Sequence, residues 1–597
     1  MSGPGRGGRR GAAVASRGLA PARALRALER IRGAFGAEIE PVKLALLGRL
    51  LRGTLATARE VERYHEALCF LHAYPDSTRI DAQVRVNLAA FARRADLARH
   101  REALKSSGIE GTPIDYRFFY PTARWLAARW PRQLSIEWDE FENTDRLEAL
   151  LGLLALPAET PGLDELTLTP REWIGRMKRR DESDASFLAR RFAALPMEDA
   201  AREVLYDSLD VPLRLVPGPD TPSRTRARTE LVFGAGGRSL RRAEPRGPRA
   251  RQHYTTAPLD RSRPVLAAAL RQPPRSVRLL SPRDGAELVD LARAAMVTRQ
   301  RDLDAFAYAD PRDARLVDMG DGLQFACLGV VPERRLMLES VYGFVTLKNG
   351  VPVGYVLVSA LFGSSEIAYN VFETYRGAEA GHIYGRALAM TAHLFDSDTF
   401  TIYPYQLGDE NEEGLKSGAW WFYWKLGFRP KDRDVLRLAR RELARMRRNP
   451  RFRSSIATLR RLARRNVYFH AGRERDDVIG VLGLANTGLA VTRYLARRFG
   501  SDRERAAHAC AAEAAELLGV RSFSGWSSGE RAWWRRWAPL VLLLPGVARW
   551  SSGERRRLTA VIRAKGGVRE DEFVRRFDAH RRLRAAIRRL ARATPPA

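Results

Sequence analysis

The chain has 597 residues, 45% hydrophobic and 29% charged, with a formal net charge of +32. That length exceeds what one core serves, so two to four domains are expected in a soluble globular protein. No run of about 18 apolar residues occurs, so no transmembrane helix is predicted. Cys69, Cys327 and Cys510 stand too far apart for a disulfide framework or a zinc spacing, and a reducing, cytoplasmic compartment is expected.

Residues 1–30 open MSGPGRGGRRGAAVASRG, basic and Gly-rich with no apolar stretch, so a disordered tail is expected there and not a secretory signal. Residues 31–215 read as an N-terminal helical domain, with apolar residues at three and four spacing in LERIRGAFGAEIEPVKLALLGRLLRG and ATAREVERYHEALCFLHAYP. Glu62, His65, Cys69 and His72 fall on one face of one predicted helix. No second Glu-x-x-His completes a di-iron site. Buried, hydrogen-bonded histidines are expected, and no metal. Residues 216–275 lose their periodicity and turn to Pro, Gly and Arg, the composition of a linker.

From Ser276 the pattern alternates. SVRLL, ARLVDM, GLQFACLGVV, LMLESVYGFVTLKNG, VPVGYVLVSALF and GSSEIAYNVF read as strands, with DGAELVDLARAAMVTRQRDL as a helix after the first. Asn349-Gly350 supplies a hairpin turn. A strand–turn–helix–strand–helix run then reaches Phe428. The expected fold class is α+β, a central mixed sheet in residues 276–430 flanked by N- and C-terminal all-α regions.

Residues 431–470 read as a basic helical segment. Arg429–Arg465 holds 15 Lys and Arg against 3 Asp and Glu. Such a helix suits a polyanion, a partner protein or an anionic membrane surface, and equally a solvated face packed by its Leu stripe. The overall charge is weaker ground. Lys is scarce and Arg abundant in a chain also rich in Ala, Gly and Leu, as codon bias in a GC-rich genome would write. Residues 471–597 are again helical, with WSSGER at Trp526–Arg531 and Trp550–Arg555. Each Ser-x-x-Glu reads as a capping box opening a helix, and Trp533, Trp534 and Trp537 as packing residues.

The stretch Val371–Phe428 carries the chemistry. VFETYRG has the form of a strand running into a turn whose amides, Gly377 to Gly381, are the open donors at a helix mouth. Here the sequence resembles the GNAT superfamily of acyl-CoA-dependent N-acyltransferases over about Ser276–Pro430. The family's Arg/Gln-x-x-Gly-x-Gly/Ala turn aligns with Arg376, Gly377, Ala378, Glu379, Ala380 and Gly381, and AWWFYWKLGF at Ala419–Phe428 looks like its Ala-x-x-Phe-Tyr-x-Lys-x-Gly-Phe motif. The resemblance implies that acetyl-CoA or another acyl-CoA binds with its pyrophosphate on that turn. It implies that Tyr423 protonates the leaving thiolate, and that Glu366 stands at the common base position. Glu373 is the other strand glutamate, and His382 reads as structural.

Two positions depart from the family's pattern. Glu379 replaces the central glycine. A carboxylate about 4 Å from a phosphate costs on the order of 4 kcal/mol per charge pair at an effective dielectric near 20, whereas one turned outward serves the helix dipole. Lys416 stands where many members carry Asn. The expected function is N-acyl transfer to an unspecified amine acceptor. The alternatives are a GNAT-like scaffold gripping nucleic acid or a partner protein through Arg429–Arg465, and transfer from another anionic donor such as an aminoacyl-tRNA.

Overall fold

A computed structural model describes residues 19–233 and 252–592 of the chain. They divide into two compact units. The first gathers the described residues up to Leu259 with Glu287–Tyr308 and Lys348–Pro352. The second gathers Asp260–Ala286, Ala309–Leu347 and the described residues from Val353 on.

In the first unit, helices Pro21–Ile31, Glu40–Arg52, α1 (Ala58–Ala73) and Thr78–Ala89 close on a core that includes Leu28, Leu47, Val61, Tyr64 and Leu68. Thr57 and Ser77 start α1 and the helix after it, each accepting a first-turn amide through its side chain. Two expectations are corrected here. Residues 1–18 lie outside the described residues, but Pro21–Ile31 is a helix with Ala24, Leu25 and Leu28 buried, because its three-four apolar spacing gives it a face to bury. The N-terminal region is also not all-α. Strands β1 (Ile114–Tyr116), β2 (Leu134–Ile136) and β3 (Leu213–Leu215) form an antiparallel sheet in the order β1-β3-β2. Three-residue strands are too short to show an alternating pattern against helical surroundings.

The Glu62–His72 face of α1 is built as a packed stripe. His65 meets the Thr225 hydroxyl at 2.9 Å, and burial drives its ring down to about 3 and the Cys69 thiol up to about 12. Both therefore stay neutral. Thr225 belongs to the segment expected to be a linker. Its described part is anchored by hydrogen bonds, Glu110 amide to Thr225 Oγ1 at 2.9 Å and Arg224 amide to Gly108 O at 2.8 Å, which leave no periodicity to read.

The second unit is built on nine strands in the order β11-β12-β10-β9-β8-β7-β6-β5-β4. They are β4 (Ser276–Leu279), β5 (Ala309–Gly320), β6 (Leu323–Val330), β7 (Ser340–Lys348), β8 (Val351–Leu361), β9 (Ser364–Val371), β10 (Thr399–Ile402), β11 (Arg429–Pro430) and β12 (Val467–His470). Helix α2 (Ala380–Phe395) joins β9 to β10, and α3 (Ala419–Leu426) leads from β10 towards β11. Then come α4 (Arg433–Arg448) and α5 (Ile456–Ala463). A mixed sheet with flanking helices is thus present, and β9 and β10 pair in parallel. Strand β12 corrects the expectation that 431–470 is wholly helical. It enters between β10 and β11, antiparallel to both. Its VYFH run is β-branched and aromatic, but it is short and directly follows a strongly helical stretch.

The C-terminal helices share the sheet's core. Helices α6 (Ser528–Leu543), α7 (Ser552–Gly566) and α8 (Asp571–Ala579) bury Trp533, Trp534, Trp537, Leu558, Ile562, Phe573 and Phe577 in one cluster with Phe344, Tyr384 and Trp420. Both expected capping boxes form, at Ser527 with Glu530 and at Ser551 with Glu554. The helices also grip the chain that runs into β7. Trp533 and Trp537 donate indole hydrogens to Pro332 O at 2.7 Å and Met337 O at 2.9 Å. Arg335 donates to Lys565 O, Gly567 O and Val568 O. Lys565 donates to Leu338 O at 3.1 Å and Glu339 O at 2.9 Å.

Candidate functional site

The site is organised by the parting of β9 from β10. Their ladder runs only from Ser364–Thr399 to Glu366–Thr401. Strand β9 continues to Val371, paired with β8 along its whole length and with no described strand on the other edge. A parallel pair that separates in this way leaves backbone groups of one strand open to an extended ligand. Ala368 to Val371 are half-buried.

Side chains alternate across β9, so residues three apart face opposite ways. Tyr369 points towards α2, with its hydroxyl donating to Ala380 O at 2.9 Å and its ring 5.1 Å from that of Tyr384. Glu366 therefore lies on the other face, opposite Ser359 of β8. Burial, with Glu339 adding like charge, pushes its carboxyl up to about 7. The same two glutamates act on Tyr403 at the end of β10, where burial first and then the Glu366 and Glu339 charges push the phenol up to about 12. Glu366, Glu339 and Tyr403 thus form one group. Glu373 leaves it. Strand β9 ends at Val371, and Glu373 sits exposed in a 3₁₀ turn.

On the opposite side, Tyr423 of α3 is 4% exposed, its ring 5.7 Å from those of Tyr384 and Phe428. Burial drives its phenol well above the ordinary range, so it stays protonated. Helix α3 is fixed at both ends by glycines in the left-handed conformation, Gly418 at φ 70° and Gly427 at φ 108°, which only glycine adopts without strain. Trp420 stacks on Trp424 at 5.2 Å. The aromatic density of this helix thus sets the position of Tyr423.

The turn before α2 is only partly as expected. Glu379 is the residue before the helix, and its side chain makes no cap. The amide of Ala378 is spent on Tyr375 O at 3.0 Å. The first-turn amides of Ala380, Gly381 and His382 take no partner among the described residues, and that of Ile383 already closes onto Glu379 O at 2.9 Å. Arg376 is exposed, paired with Glu413 and bonded to Val371 O at 3.3 Å. A side chain at Gly377 would meet nothing within 4 Å, so that residue opens one side of the turn. Gly381 has a different neighbour. A Cβ there would lie 3.2 Å from Ser262 O, and one at Gly385 3.1 Å from Pro264. The Ser262–Pro264 segment uses these glycines to lie along α2. Lys416 is exposed on a short helix whose cap is Asn411. His382 lies near Asp260, whose carboxyl is held down by the Ser262 hydroxyl and amide and then by the His382 charge.

Sequence reasoning singled out Tyr423, Glu366 and the turn, and did not single out Glu339, Tyr403 or the Ser262–Pro264 segment, which lie near them. Glu339 lies before β7, two strands from Glu366 in the sheet, and nothing local marks it. Among the described residues no group of three or more His, Cys, Asp or Glu could hold a metal ion, and no helix is long and apolar enough to cross a membrane. Comparison with protein-family models, curated proteins and solved structures finds no match for the chain.

Proposed function

We propose that the second unit is an acyl-CoA-dependent N-acyltransferase. The observation that carries the reading is the parted β9–β10 pair, with a near-neutral carboxyl on one face of β9 and a buried, protonated phenol on the other. The antiparallel meander running into strand–turn–helix–strand–helix supports the GNAT resemblance, as does the position of Tyr423 beside α2.

The turn fits an anion on its open side. The amides of Gly377, Ala380, Gly381 and His382 with the Arg376 guanidinium would hold the CoA phosphates at the positive end of the α2 dipole, and the free edge of β9 would meet the extended arm. Glu379 is the one like charge in that loop. The acyl-CoA supplies an acyl carbonyl activated as a thioester. Glu366 takes a proton from the acceptor ammonium and so frees the nitrogen lone pair to attack the acyl carbon, and the second nitrogen proton passes to solvent as the tetrahedral adduct collapses to the amide. Its carboxyl, lifted to about 7, is matched to that task at neutral pH. Tyr423 gives its proton to the sulfur as the carbon–sulfur bond breaks, and proton exchange with solvent restores both groups.

Titration calorimetry with CoA and acetyl-CoA tests the donor. Binding is expected, and silence at several hundred micromolar overturns the reading. If binding is seen, Glu379→Gly tightens it where the carboxylate faces the phosphates and leaves it unchanged where it faces solvent.

A further inference from the structure

The charge run after the site resolves into one continuous face. Helix α4 has 16 residues and so a length of about 24 Å. Its Val435, Ala439 and Glu442 are buried, and Leu438, Leu443 and Met446 pack against the core cluster. What remains outward is arginine. Arg433, Arg440, Arg441, Arg447 and Arg448 are exposed on α4, and Arg451 extends the row into the loop beyond it. Steps of seven between the pairs keep them on one side of the helix. The acidic residues of α4 are used elsewhere, Asp434 by Arg437 and the buried Glu442 by Arg445. None of the six outward arginines makes an ion pair with a described residue.

We propose that this face binds the phosphate backbone of nucleic acid without reading sequence. Guanidinium forks match phosphate oxygens, and a row of about 24 Å spans roughly seven base pairs at 3.4 Å each. Two features set the partner apart from a lipid surface and from base readout. Between Arg429 and Arg465, Ile456 is the one large apolar side chain that is exposed, so the face has nothing to insert into a bilayer. Phe452, next to Arg451 in the chain, is half-buried with the Arg445 guanidinium 4.3 Å over its ring, and Trp424 carries the Arg429 guanidinium 4.0 Å over its ring, so neither is free to stack on bases. The face shares no residue with the acyl-transfer site, and its failure would leave that reading standing.

The experiment is fluorescence anisotropy of the full chain with a labelled duplex of about 20 base pairs and a single strand of equal length, between about 50 and 200 mM KCl. Neutralising four to six phosphates gives a log–log salt slope of about −4 to −5. The variant R440Q/R441Q/R447Q/R448Q is expected to flatten the slope by about three and to weaken binding at least thirtyfold at the lower salt. The control variant R26Q/R101Q/R132Q/R180Q removes the same charge from exposed positions of the first unit and is expected to change binding less than threefold. Equal losses in the two variants would make the binding a property of overall charge and overturn the assignment. So would no binding at the lower salt, or retention on phosphatidylglycerol vesicles with nucleic acid ignored.

Discussion

Two groups of carboxylates in the second unit keep contrasting company. Beneath the C-terminal helices, Asp313, Glu570 and Asp571 are at most 1% exposed, and each meets a cation. Lys565 lies 2.5 Å from Glu570, and Arg315 lies 3.5 Å from Asp313 and 3.1 Å from Asp571. Tyr342 adds a hydroxyl donor to Asp313 at 2.6 Å, and its oxygen accepts the Asp571 amide at 2.8 Å. At β9, Glu366 makes no ion pair with a described residue, and the charge acting on it is a second carboxylate, Glu339. Burial pushes the Asp313 and Glu570 carboxyls up as well, but there the neighbouring cations oppose the shift, and Asp571 is held below its ordinary range; such paired groups fix structure. A buried carboxyl facing like charge gives up its charge near neutral pH and becomes a group that can trade protons. The contrast separates a structural network from a candidate base within one core.

The largest effect that would break this contrast is at Glu366. Glu366→Gln should lower kcat/KM by about 10²- to 10⁴-fold without lowering thermal stability. The sign of the pH effect follows from the raised carboxyl. The folded chain holds this proton more tightly than the unfolded chain does. Its stability therefore falls as pH rises from the ordinary 4.5 towards about 7, and the Gln variant should lack that contribution to the fall in melting temperature. A variant with full activity, or a wild-type melting profile from pH 4 to 8 indistinguishable from that of the variant, would make Glu366 an ordinary strand residue. Next comes Lys565→Met, which leaves Glu570 buried without its closest cation and should cost about 3–5 kcal/mol in urea unfolding. Adding Glu570→Leu should recover much of that loss. No recovery would mean that Lys565 acts through its bonds to Leu338 O and Glu339 O and not through the pair.

Much of this was legible in order along the chain and much less across it. The strands from β4 to β10 follow runs of alternating or apolar residues, and both WSSGER repeats open helices through capping boxes. Those are local signals. The three-residue strands of the first unit and β12 were hidden because their partners, not their own sequence, make them strands. Glu366 was legible as a strand glutamate, but its raised carboxyl was not, because its causes, burial first and then Glu339 from 27 residues earlier in the chain, come only with the fold. Gly381 illustrates a different limit. Its place in the turn suggested a phosphate, while the missing side chain also leaves room for Ser262 O, which a Cβ there would meet at 3.2 Å, so one glycine answers to two neighbours.

A smaller effect tests the other face of β9. Tyr423→Phe should lower kcat about a hundredfold with KM for the acyl donor unchanged, because the hydroxyl is required only as the thiolate departs. The ring contacts with Tyr384 and Phe428 survive the change, so unfolding should not shift appreciably. Loss of stability with unchanged kcat would make Tyr423 a packing residue and leave protonation of the sulfur to solvent.

The smallest expected effect is the most specific. Glu339 is held in place by the C-terminal helices, with its carbonyl accepting from Lys565 at 2.9 Å. It adds to the Glu366 shift after burial, which is the larger cause. Glu339→Gln removes that like charge and so lowers the Glu366 carboxyl, but by less than the full displacement, because the burial stays. The acidic limb of the pH–rate profile should therefore move to lower pH by a fraction of a unit, with the plateau rate little changed. A shift to higher pH would mean that Glu339 stabilises the charged base through a bound acceptor cation. No shift at all would separate the two glutamates and leave burial alone to set the base. Only the expected shift would tie the C-terminal helices, through the chain they hold ahead of β7, to proton transfer at β9.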